Sequence, residues 1–152
     1  LLAQLGVKPQ ADTFLTMNYD GSFEEVRGGA AIAAIDAIQT ALIKQLQTDA
    51  ATTPVSFAAA VRIAAGWWAS ASLAQQQLQA DHDSSSSLHA PESQPSAPSV
   101  PKLPQREDEP VRAHLQEALS QHTLECAVLN RTLTGSSKYQ TISLDQARAL
   151  LA

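Results

Sequence analysis

The chain has 152 residues, 44% of them hydrophobic, and its 15 acidic and 10 basic side chains give a net charge of −5. This suffices for one modest core, or two small ones across a linker, and the acidic balance gives no electrostatic reason to approach DNA or RNA. The single cysteine, Cys126, removes any internal disulfide and points to a reducing, intracellular and most simply cytoplasmic setting.

Leu1 rather than Met opens the chain, so a removed leader or a start inside a longer protein is expected. The fragment LLAQLG resembles a helix end, with Gly6 and Pro9 as stop signals. In TFLTMNYDGSFEEV, Asp20-Gly21 predicts a two-residue hairpin turn, because this pair tolerates positive φ cheaply. Pairing around it sets Leu15 opposite Val26, Met17 opposite Glu24 and Tyr19 opposite Ser22, and so gives one more apolar face.

After Gly28-Gly29 the period changes. Ile32, Ile35, Ile38, Leu42 and Leu46 recur in steps of three and four, which predicts an amphipathic helix. The two glycines lack the further Gly and Lys positions of a phosphate loop. Pro54 then interrupts the chain, and Ser56 is the expected N-cap of a second helix, FAAAVRIAAGWWASASLA. That run is too short, too rich in alanine and, with Arg62, too polar for a bilayer. Neighbouring helical residues point about 100° apart, so Trp67 and Trp68 cannot face one core, and one of them is a candidate partner contact.

Residues 81–110 hold six of the eight prolines and few apolar side chains, which predicts a disordered Pro/Ser-rich linker. Pro95, Pro98, Pro101 and Pro104 recur at the three-residue period of polyproline II. Within it VPKLPQR has the form of an SH3-binding peptide: Val100-Pro101 and Leu103-Pro104 for two grooves, Arg106 for an acidic pocket. A stiff spacer has the same composition. His82 and His89 have no partners at metal-binding spacing.

The linker ends at EDEPVRAHLQEAL, with acids ahead of the positive helix end and Pro110 in the first turn. Val111, Leu115, Leu119, His122, Cys126, Leu129 and Leu133 step by three or four, predicting one long stripe. His122 and Cys126 would make one edge of a zinc site or a thiol–imidazole pair, but no further ligand or orienting group stands nearby, and neither a metal nor a cofactor is assigned. Asn130-Arg131-Thr132 fits the common glycosylation pattern. Ser143 and Gln146 form a capping box that starts a last helix, whose core face is Leu144, Ala147, Leu150 and Leu151.

The run KYQTISLDQARALL resembles the start of the winged-helix half of PCI domains, which occur in subunits of the proteasome lid, the signalosome and a translation initiation factor. In that family a Tyr, then Ile-Ser/Thr-Leu, then a helix with paired leucines follow a helical stalk. Tyr139, Ile142, Ser143, Leu144, Leu150 and Leu151 stand in those places. The resemblance implies a stalk over residues 111–133 and a scaffold subunit that packs winged helices side by side.

The expected fold is mainly α with one β-hairpin. It comprises a hairpin plus helical region (1–80), a linker (81–110) and a C-terminal helical, winged-helix-like unit (111–152) docked on the first. The expected function is a non-enzymatic protein–protein interaction or scaffold subunit, with a protein partner or a second copy, no membrane and no small-molecule substrate. Its partner-binding candidates are Trp67, Trp68, Val100, Pro101, Leu103, Pro104 and Arg106. The alternative is a DNA-binding helix-turn-helix regulator using the terminal strand and helix. An enzyme would need residues that converge only in space, for example Asp20, Glu24 or His114.

Overall fold

The computed structural model describes residues 1–52, 56–85 and 101–151. Pro54, His89, Pro95, Pro98 and Val100 lie outside the described residues. Among the described residues the chain is mainly α with two small antiparallel sheets. In order it forms β1 (Leu2–Gln4), a 3-10 turn (Pro9–Ala11), β2 (Thr13–Met17), β3 (Phe23–Val26), α1 (Asp36–Thr52), α2 (Phe57–Ser85), α3 (Glu109–Gln121), β4 (Cys126–Leu129), β5 (Tyr139–Ile142) and α4 (Leu144–Leu151). No described helix is long and apolar enough to cross a membrane.

The helical core comes from the stripe read on α1. Ile38 is fully buried with Ala41 and Leu42, against Trp67, Ala71 and Ala74 of α2 and against Leu103. Alanines on α2 let the helix axes approach, and one large ring, Trp67, fills the space between them. α1 begins four residues later than the isoleucine pattern implied. The Gln39 side chain accepts from the Ala33 backbone N–H at 2.9 Å, and Ile32 stays outside the helix, exposed. The stretch before Asp36 offers no Ser, Thr, Asp or Asn to cap an earlier start. Ser56 does cap α2: its hydroxyl accepts from the Ala59 N–H at 3.3 Å and its carbonyl from the Ala60 N–H at 2.9 Å.

Several expectations are corrected. The segment 81–110 is structured at both described ends. α2 continues to Ser85, and Leu103, 4% exposed, belongs to the α1–α2 core. Burying one leucine contributes about 1.5–3 kcal/mol, which offsets part of the entropy lost in ordering this extended segment. The stripe from Val111 to Leu133 is not one helix. α3 stops at Gln121, His122 is extended at φ −123°, and Cys126–Leu129 pairs with Tyr139–Ile142. Steps of three and four fit a helix, but the turn-rich run Asn130 to Ser137 closes a hairpin instead, so the stalk implied by the PCI resemblance is interrupted.

The third correction is register. β1, β2 and β3 form one sheet in that order, and LLAQLG supplies its first strand rather than a helix end. The Gly21 N–H donates to the Asn18 carbonyl at 3.1 Å and the Asn18 N–H to the Ser22 carbonyl at 2.9 Å. Gly21 has φ +81°, and among the described residues no non-glycine has positive φ, so the loop is a three-residue type I turn followed by a glycine bulge. Val26 therefore meets Phe14, Glu25 meets Leu15 and Phe23 meets Met17. This one-residue slip turns β3 over relative to β2 and sends Phe14 and Val26 to one face, Leu15, Met17 and Phe23 to the other.

Candidate partner-binding groove

A groove of about 950 Å³ opens between the three-stranded sheet, the N-terminal half of α2, the end of α3 and β4. Its walls are mostly apolar: Leu1, Leu5 and Phe14 from the sheet, Val61 from α2, Leu115 and Leu119 from α3. Ala60, Ala64 and Ala65 line it from α2, where small side chains leave the helix backbone within reach of an occupant. A second hollow of about 450 Å³ adjoins it and shares Leu5, Asp12, Phe57, Val128 and Leu129.

A polar clip joins the two sheets at one end of the groove. Asp12 accepts from the Gly6 N–H at 2.9 Å and pairs with the Arg131 guanidinium, which also donates to the Gly6 carbonyl at 2.7 Å. Burial works upward on the Asp12 carboxyl. The Arg131 hydrogen bond, the Gly6 N–H and the Arg131 charge together outweigh it and hold the group below its ordinary value. Only glycine fits here, because a Cβ on Gly6 would lie 2.3 Å from the Ala11 carbonyl oxygen.

The tryptophan pair divides as its angular offset requires. Trp67 is 4% exposed in the core, and its Nε1–H donates to Asp49 Oδ2 at 2.7 Å. Trp68 is 49% exposed, lines the groove and stacks on His114 with centroids 6.2 Å apart and planes 15° from parallel. His114 Nε2 lies 3.0 Å from Ser72 Oγ, which holds the imidazole over the indole.

The residues read as an SH3 ligand are engaged inside the chain. Leu103 is in the core, and the Pro104 carbonyl accepts from Ser70 Oγ at 2.6 Å. Arg106 donates to Asp49 Oδ2 at 2.7 Å and to Glu107 Oε1 at 2.6 Å, with its guanidinium carbon 5.9 Å from the Trp67 ring centre. Pro101 is half-buried beside them. An external SH3 domain would have to pull Leu103 and Arg106 out of these contacts. The structure thus brings Trp67, Leu103, Pro104 and Arg106 together as an internal lock, and separates Trp68, which faces the groove.

His122 and Cys126 both border the groove, one beyond the end of α3 and the other on β4. Among the described residues no three His, Cys, Asp or Glu side chains converge on a metal position. Asp20 and Glu24 sit in the first hairpin, where Asp20 Oδ1 accepts from the Ser22 N–H at 2.8 Å, while His114 is on α3. The groove walls contributed by β1 and β4 were missed from sequence because strand pairing, which no local spacing reports, assembles them.

No protein-family model, curated protein or solved structure matches the chain.

Proposed function

We propose that this chain is a non-enzymatic interaction module that receives an apolar segment of a partner protein in the groove between β1, α2, α3 and β4. The observation that carries this reading is the uncovered apolar volume of about 950 Å³ with Trp68 half exposed on its wall. An apolar concavity of this size exceeds the scattered single hydrophobics of an ordinary surface and is the usual form of a binding cleft. Its wall residues are mostly aliphatic and aromatic, a composition suited to burying partner side chains. The preference moves the contact surface from the proline-rich motif, whose Leu103 and Arg106 are internally used, to the groove.

The reading is tested with random peptides displayed on phage and selected against the full chain. Ala64 is exposed on α2 and lines the groove, so Ala64→Trp fills the cleft without touching the core. Peptides selected on the wild type are expected to lose binding to Ala64→Trp while its circular dichroism and melting temperature stay the same. Binders equally tight on both proteins place the contact elsewhere.

A further inference from the structure

The strands that border the groove do so in an unusual way. A strand presenting its face to a cavity contributes alternate residues, because successive side chains point to opposite sides. Here all three residues of β1 and all four of β4 line the groove. Consecutive lining alone does not mark an edge, since Thr13 and Phe14 of the central strand β2 also line the groove, but strand position in the sheets does. Among the described residues β1 is an outer strand of its sheet and β4 pairs only with β5. Each therefore has, among the described residues, one edge whose backbone N–H and C=O groups lack a ladder partner, beside the same apolar space.

This decides between occupants. An apolar helix or an acyl chain would cover these backbone groups while leaving them unsatisfied, at a cost in free energy. An extended segment supplies the missing donors and acceptors at the strand spacing while its alternate side chains enter the apolar walls. Charge selects further. Asp12, His122, Glu125, Cys126 and Tyr139 are the titratable side chains lining the groove, with the Leu1 amino group at its margin. Asp12 is paired with Arg131, whereas Glu125, exposed at the start of β4, has no ion pair among the described residues. A cation on the occupant complements it.

We propose that the groove binds an extended segment of a partner protein as an added strand paired with the free edge of β4. Its apolar residues occur at every second position, with a Lys or Arg opposite Glu125. The inference rests on the groove being the binding surface, and its test separates the two. Peptides from the phage selection that depend on the groove, by the Ala64→Trp criterion, are resynthesised with single backbone N-methyl groups.

Methylation at alternate amides is expected to weaken binding about tenfold or more, the loss of one satisfied hydrogen bond, and methylation at the intervening amides to leave it unchanged. Hydrogen exchange at residues 126–129 is expected to slow on binding. Glu125→Lys is expected to weaken the peptides several-fold, with recovery when their basic residue is changed to Glu. Groove-dependent peptides indifferent to methylation at every amide, with exchange at β4 unaltered, overturn the added-strand inference and leave the groove reading standing. Selection of no groove-dependent peptide overturns both.

Discussion

Asp49 is the residue on which most of the internal lock converges. One carboxylate oxygen accepts from the Trp67 indole and from the Arg106 guanidinium, each at 2.7 Å. Removing the acceptor leaves a buried indole N–H and a half-buried cation without this partner, so Asp49→Ala is expected to cost about 1–3 kcal/mol in urea unfolding followed by tryptophan fluorescence. A loss below the error of that measurement would show that water replaces the carboxylate freely. Gly66 belongs to the same arrangement, since a Cβ there would lie 3.0 Å from the Arg106 Cβ. Asp12 makes a pH-dependent counterpart at the groove end. Its folded pKa is lowered, so the stabilisation is fully present above the ordinary carboxyl value of 3.8 and is lost as pH falls through the lowered one. Asp12 is 39% exposed, so solvent screening keeps the effect small. Melting curves of wild type and Asp12→Asn are expected to differ near neutrality and converge in acid. The split between Trp67 and Trp68 was legible because it follows from helix geometry alone. The partners of Arg106 were not, because Asp49 lies 57 positions away in the chain.

Among the elements, those specified by near neighbours agree with the sequence and those specified by distant ones do not. The capping box of α4 forms as its residues dictate. Gln146 N–H donates to Ser143 Oγ at 3.3 Å and Ser143 N–H to Gln146 Oε1 at 3.1 Å. Ser143→Ala is expected to destabilise α4 by about 0.5–2 kcal/mol, read as faster hydrogen exchange over Leu144–Leu151 with α1 unaffected. The other end of α4 is tied through its Leu150 carbonyl, which accepts from Arg62 Nε at 2.7 Å. The hairpin of β2 and β3 was legible in position but not in register. Asp-Gly permits two loop lengths, and the bonds around Ser22 select the longer. β1, with three residues, and β4, with four, carry too little local pattern to be distinguished from helical steps. Their strand character comes from β2 and β5, which pair with them.

For the whole molecule, α2 is the shared support. It packs against α1, α3 and α4. Leu103 closes this arrangement. Leu103→Ala is expected to lower global stability by about 2–5 kcal/mol, measured as a shifted urea midpoint common to both tryptophans. A protease site introduced among residues 86–100 and then cut is expected to leave the two fragments co-eluting on size exclusion, since residues 101–106, α3 and α4 all remain seated on α2. Separate elution would show that covalent connection, rather than packing, holds the halves together. The position of Cys126 adds a practical consequence. The chain carries a single thiol, and it sits on β4 within the cleft wall. Its alkylation by a maleimide can therefore serve as a stopwatch: labelling should slow when a ligand is seated, giving an occupancy signal that requires no engineered probe.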